Sequence, residues 1–438
     1  MPPATVPDGA AVIGDPDQVH DLVDLIDVAQ RNHPETRRAW GEARARAAEL
    51  GIAESAYFPS AALAAQTGYS QSVRATIGGT EIVRGVAFDP GVKLAWLLLD
   101  FGRRDAERDR ARQEVLNANF SFNRKHQEVA FAVERAYYAF DASQAQAAAA
   151  RSTLRAADAV LEAAQLRYAQ GLAAETDVLL ARQEQARAAF EVAASQSAIE
   201  DARAALAASL GVSPTLRLRV VKLAAEPLPP ELPATVELVI DRALERRPDL
   251  AAQLAALRAR EAEVRRARAD LLPKVTANAS AGGAFHGYRA GPPFHGFHDD
   301  DPFYGATLGF EWPLFEGFAR ENAVRHAESE RDVAAADLAQ LELRALREVW
   351  QAYAAVKTAL SKNEFAAALV KASDDAYASA LASYRAGVGT LLDLLASERD
   401  LARAQSDAIA SKAELLTSAA NLALAAGDAS LVLPVAQR

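Results

Sequence analysis

The sequence predicts an α+β chain that carries one plan twice, each copy a pair of strands followed by a long antiparallel helical hairpin. Three observations predict it. Residues recur at a nearly constant separation: Pro34 and Pro248 lie 214 positions apart, while Trp96 and Trp312, Gly171 and Gly387, and Asp177 and Asp393 lie 216 apart. Stretches at 60–72, 85–99, 274–288 and 303–315 alternate between apolar and polar residues with period two, the strand period. Spans of about 66 residues, from Arg103 and from Ala319, contain no proline or glycine and lead into apolar heptad spacing. A period near 215 far exceeds that of a solenoid, so each half is read as one structural unit. The first repeat is 1–210, the linker 211–234 and the second repeat 235–438.

The elements follow in the same order in each half. A helical stretch from Pro34 to Ala56 ends at "YFPS", where Pro59 stops it, and "LLPK" at Leu271 is the counterpart. In the strand at 85–99, Val86, Phe88, Val92, Leu94, Trp96 and Leu98 share one face, with Asp89, Gly91 and Lys93 on the other. Runs of this length suit a tilted strand crossing a bilayer, and equally a half-buried strand of a soluble sheet. The long helices are about 100 Å each at 1.5 Å per residue. Their seams are Leu154, Ala157, Leu161, Ala164, Tyr168 and Val370, Ser373, Tyr377, Ala380, Tyr384. The spacing resumes beyond Val178 and Leu394, which puts hairpin bends at 168–178 and 384–394. Four strands cannot close a barrel, which needs about eight. Either the sheet is open or several chains contribute four strands each.

Composition excludes several functions. A net charge of −10 argues against nucleic acid as a partner. Without cysteine there is no disulfide, thiolate metal site or thiol nucleophile. No run of about 18 apolar residues could form a transmembrane helix, which leaves a transmembrane β-barrel open. The first residues lack the basic and apolar regions of a signal peptide. No nucleophile–base pair or phosphate loop stands out, and "GAAVIG" at Gly9 follows no strand, so neither an enzyme nor a cofactor is expected. His295, His298 and Asp299 to Asp301 offer metal-ligand chemistry, but between two strands they read as a solvated extracellular loop, and no metal site is expected.

Taken in order, these residues resemble the TolC-type outer membrane efflux protein family over nearly the whole chain. The likeness is carried by "NHPE" at Asn32 and "RRPDL" at Arg246, and by "YFPS" and "LLPK" before the strands. It continues in "WLLLDFGRR" at Trp96, "WPLFEGFAR" at Trp312, "RYAQGLAAETDVLLAR" at Arg167 and "SYRAGVGTLLDLLASE" at Ser383. The resemblance implies a homotrimer whose chains each give four strands to one 12-stranded β-barrel. The barrel would sit in the outer membrane of a Gram-negative bacterium, continued by a coiled-coil α-helical barrel in the periplasm. It implies a passive exit channel, with a periplasmic adaptor and an inner-membrane pump as partners. The alternative is a soluble coiled-coil scaffold.

The resemblance also assigns residues. Thr176 and Asp177 of the first tip would hold the second hairpin through Tyr384, and Asp393 would form an acidic pore ring. Gly171, Leu172, Gly387 and Val388 would meet the adaptor. Gly389 and Ala396 depart from the pattern, standing where a basic latch residue and a second acidic ring can occur. Read locally, Asp177 and Asp393 serve helix starts, with Thr390 and Asp393 spaced as a capping box, and the tip glycines supply left-handed turns. Trp96 and Trp312 read as a girdle at the membrane interface, in contact with outer-membrane lipid. Asp89, Lys93 and Glu311 read as pore-wall charges in water.

Overall fold

The computed structural model describes residues 19–77, 79–215, 219–221, 235–290 and 295–428. The Gly9 segment, most of the linker and the tail beyond Asp428 lie outside these residues. The chain divides into two compact units, one formed by 43–118 with 252–338 and the other by the remaining described residues.

The first unit holds a four-stranded antiparallel sheet of β2 (Ser60–Thr76), β3 (Gly79–Leu99), β5 (Lys274–Ala290) and β6 (His295–Glu311), in the order β2-β3-β5-β6. β3 and β5 come from opposite halves of the sequence and pair through Gly91 and Gly282 at mid-strand. Glycine is needed there: a Cβ on Gly282 would lie 2.3 Å from the Pro90 carbonyl oxygen and 2.8 Å from the Phe303 ring. The register aligns Leu63 with Val92, Ala281 with Tyr304, and Trp96 with Ala277 and Leu308, so one face is a continuous band of exposed apolar side chains. Ala95, Asn278 and Thr307 lie side by side on the other face. Glu311 is paired with Lys274 at 3.0 Å.

α2 (Pro34–Ser55) and α6 (Pro248–Ala269) precede the two strand pairs. Trp96 donates its indole N–H to the Tyr57 carbonyl at 3.0 Å, and Trp312 donates to the Leu271 carbonyl at 3.1 Å. Each tryptophan therefore ties the far end of its strand pair to the turn that follows the preceding helix.

The strand limits differ from those read in the sequence. β3 begins at Gly79 rather than 85, and β6 runs from His295 to Glu311 rather than 303–315. The segment from His295 to Asp301, expected as a solvated loop, is strand, paired with residues 284–290. The side chains of 295–299 are outside the described set. Its Gly, His and Asp residues are poor strand formers, but the backbone of β5 offers each a partner, and pairing overrides propensity. β6 stops early because Pro313 has no N–H to donate.

The second unit is helical. α1 (Leu22–Asn32) is capped by Asp21, whose carboxylate accepts the Asp24 N–H at 2.8 Å. Its buried stripe Leu22, Leu25 and Ala29 packs with Val133 and Tyr137 of α3 (Arg103–Ala169) and Leu206 of α4 (Glu175–Ser209). In the second half, Val239 and Ala243 of α5 (Val236–Arg246) pack on Val349 and Val356 of α7 (Ala319–Arg385) and Leu415 and Leu422 of α8 (Leu391–Ala426). Short strands β1 (Val19–His20) and β4 (Arg219–Val220) pair in parallel. α4 and α8 end at Gly211 and Gly427, both with positive φ, and a Cβ on either would lie 3.0 Å from the His33 or Arg247 Cα. That backbone is the extended residue ahead of Pro34 or Pro248, which ends α1 and α5. Arg247 is buried there, bonded to Glu348 at 2.8 Å, Asp249 at 2.6 Å and the Ala425 carbonyl.

Candidate functional site: the hairpin tips

The helices α3 and α7 stop through the same hydrogen-bond pattern. Gly171 takes φ 73° and donates to Tyr168, while Leu172 donates to the Arg167 carbonyl at 2.8 Å; Gly387 takes φ 79° and Val388 donates to Ser383 at 3.1 Å. This is the left-handed glycine stop that satisfies the last carbonyls of a helix. In the second tip Gly389 also donates to Ser383, and a Cβ there would meet the Ser383 Cβ at 2.9 Å. Glycine at 389 is thus dictated by close passage of the chain. Leu172 and Val388 project from the bends, 65% and 83% exposed.

The returning helices start differently. At α4 the cap is Ala174, which has no side-chain acceptor, and the Asp177 carboxylate takes the Ala174 N–H at 3.3 Å. At α8 the Thr390 hydroxyl accepts the Asp393 N–H at 3.1 Å and donates to the Asp393 carboxylate at 2.6 Å. Asp393 is exposed, and so is Thr176. Both aspartates lie in a first helical turn, where the helix dipole favours a negative charge.

Tyr384 is 5% exposed in an apolar cluster with Val160, Ala164, Ala181, Leu391, Leu394 and Leu395, which draws on both hairpins. Its partner is Arg167, whose guanidinium lies 4.7 Å from the ring centroid and donates to the Tyr384 carbonyl at 2.7 Å. No well-formed hydrogen bond reaches the Tyr384 hydroxyl, and the side chain close enough to donate to it is Arg167. The expected link from Thr176 and Asp177 to Tyr384 is therefore not a hydrogen bond in this structure. Burial raises the phenol pKa, the Arg167 cation opposes this, and the Asp177 charge adds to it.

One turn further along, Arg399 of α8 grips Glu184 of α4 through two bonds of 2.9 and 2.5 Å to one carboxylate oxygen. Beside this pair Glu398 is 4% exposed, and neither carboxylate oxygen has a partner. Burial, reinforced by the Glu184 charge and opposed by Arg399, pushes its pKa up to about 7. Arg167, Glu184, Glu398 and Arg399 were not among the residues the sequence singled out. Glu398 did leave a signal, for it falls four residues after Leu394 and seven after Leu391 on the apolar stripe.

Among the described residues no helix is long and apolar enough to cross a membrane, and no cluster of His, Asp and Glu is arranged to hold a metal. Paired strands ahead of a 67-residue helix and a capped helical tip are present in each half, and the sheet that the halves share carries an exposed apolar face. The chain belongs to the outer membrane efflux protein family, whose model matches residues 25–212 and again 239–428. It is 33% identical to the protein CyaE of Bordetella pertussis over 88% of this chain and 79% of that one. It is 27% identical to the outer membrane protein OprJ of Pseudomonas aeruginosa over 86% and 77%. Its fold matches the Campylobacter jejuni CmeC outer membrane channel with a TM-score of 0.79 at 18% identity, over 93% and 85% of the chains. Proteins of this family lie in the outer membrane of Gram-negative bacteria and project into the periplasm.

Proposed function

We propose that three copies of this chain form one passive exit channel of a tripartite exporter. Each copy contributes β2, β3, β5 and β6 to a 12-stranded barrel in the outer membrane, and its helical hairpins to a coiled-coil α-helical barrel in the periplasm. The observation that carries this is the sheet. Among the described residues β2 and β6 each pair on one side only, leaving two edges 17 residues long beside an apolar face. Long open edges demand pairing, and three such sheets supply the strands that one lacks. The two halves, 1–210 and 235–438 joined by 211–234, are copies of one unit. Trp96 and Trp312 mark the periplasmic edge of the apolar band.

At the tips Asp393 of three chains forms a ring that favours cations, with Asp177, Thr176 and Tyr384 in the wall around it. An adaptor packs on Gly171, Leu172, Gly387 and Val388, and with an inner-membrane pump opens the channel. The chain carries out no chemistry of its own.

Purification and bilayer recording test this reading. The protein should need detergent, cross-link as a trimer and conduct ions with a cation preference that Asp393→Ala weakens, together with divalent-cation block. A monodisperse monomer in plain buffer would overturn the channel and favour a coiled-coil scaffold.

A further inference from the structure

We infer that the tip contains a proton-operated latch, in which Glu398 sits protonated between the hairpins and its ionisation loosens the packing of α4 against α8. The inference rests on the proposed gating role of the tips, but its test does not depend on conduction. Glu398 is buried in the seam that joins the two hairpins, with no donor to either oxygen. A buried carboxylate without partners is strongly disfavoured, whereas a buried neutral acid is tolerated. The groups acting on it are Glu184 from α4, Arg399 of its own helix and Tyr377 of α7, whose own pKa is raised by burial and by the Glu398 charge. α3 faces this core with Val160 and Ala164, and its Arg167 is held by Tyr384. Among the described residues the cation acting on Glu398 is Arg399, which is already doubly bonded to Glu184. Ionisation therefore puts two carboxylates beside one arginine, in a seam where only one is neutralised.

The direction follows from linkage. The packed tip holds the proton more tightly than an open one, in which Glu398 returns to its ordinary 4.5 from about 7. Packing is thus favoured in acid, and the advantage is lost progressively as pH rises from the lower value to the higher. Between pH 6 and pH 8 the opening equilibrium shifts about tenfold.

Hydrogen–deuterium exchange of the detergent-solubilised full chain, corrected for intrinsic base catalysis, reads this at residues 391–399. Exchange there should rise about tenfold from pH 6 to pH 8 in the native chain and stay flat in Glu398→Gln. In Glu184→Gln the midpoint should move to lower pH, because Arg399 becomes free for Glu398. Glu134, pushed up to about 7 by burial alone, lies 35 residues before the end of α3, so Glu134→Gln should leave the tip profile unchanged. Identical profiles in the native chain and Glu398→Gln would overturn the latch. Failure to form a trimer would bear on the channel reading alone.

Discussion

At the scale of single residues, the tip turns on which atoms of Tyr384 matter. Its ring and carbonyl engage Arg167, while its buried hydroxyl has no well-formed hydrogen bond. A hydrogen bond from a charged donor contributes about 1.5–3 kcal/mol, and a partly desolvated cation–π contact about 0.5–2 kcal/mol. Arg167→Ala should therefore loosen the tip markedly, raising resting conductance in bilayers and proteolysis at the bends. Tyr384→Phe removes a hydroxyl without a well-formed hydrogen bond and keeps the ring and carbonyl that hold Arg167, so its effect should stay within about 1 kcal/mol and leave conductance near the native value. If the two variants behaved alike, the hydroxyl would have to be bonded to Thr176 or Asp177 at rest, and the Arg167 account would fail.

At the scale of elements, the bends separate two reasons for glycine. Gly387 needs its left-handed dihedral, since a Cβ placed on it would find no atom within 4 Å, whereas Gly389 needs space beside Ser383. Gly387→Ala should cost about 1–2 kcal/mol, and Gly387→Asn less, because asparagine tolerates that conformation. At Gly389, Ala and Asn should be equally harmful, since both place a Cβ against α7. Rates of proteolytic cleavage across 386–390 would rank the four variants, and a milder Asn at Gly389 would show that the dihedral governs there too. These bends were legible because heptad spacing, glycine and the first-turn acid all act within one turn of helix. The tryptophan ties were half legible, as a repeated spacing without a partner. Arg167 was not legible, since its partner lies 217 residues away and an arginine at a helix end has an ordinary reading there. The length of β6 was hidden for a related reason: residues 295–301 read as loop by propensity, and the backbone pairs that hold them as strand are made with β5. Glu398 was visible as a polar break in an apolar stripe, but its burial depends on α4 arriving from the other hairpin.

For the whole molecule, the proposed channel assigns the contact with lipid to one face of the sheet, the one that carries the exposed apolar side chains. That face is defined by register. Leu308 lies opposite Ala277 and in line with Trp96, is 76% exposed, and stands four residues before Trp312, about 13 Å along the strand. Thr307, one residue earlier, lies opposite Asn278 on the polar face. Arginine at a lipid-facing site near mid-bilayer costs about 2–4 kcal/mol, whereas a lumenal site tolerates it. Leu308→Arg should therefore deplete the protein from the outer-membrane fraction and lower trimer yield. Thr307→Arg should assemble normally and shift the conductance toward anions by adding three cations to the channel wall. Because both substitutions add the same group to the same strand, a general folding defect would strike them equally. Equal loss from both would remove the sheet from the membrane, while loss from Thr307→Arg alone would turn the barrel inside out.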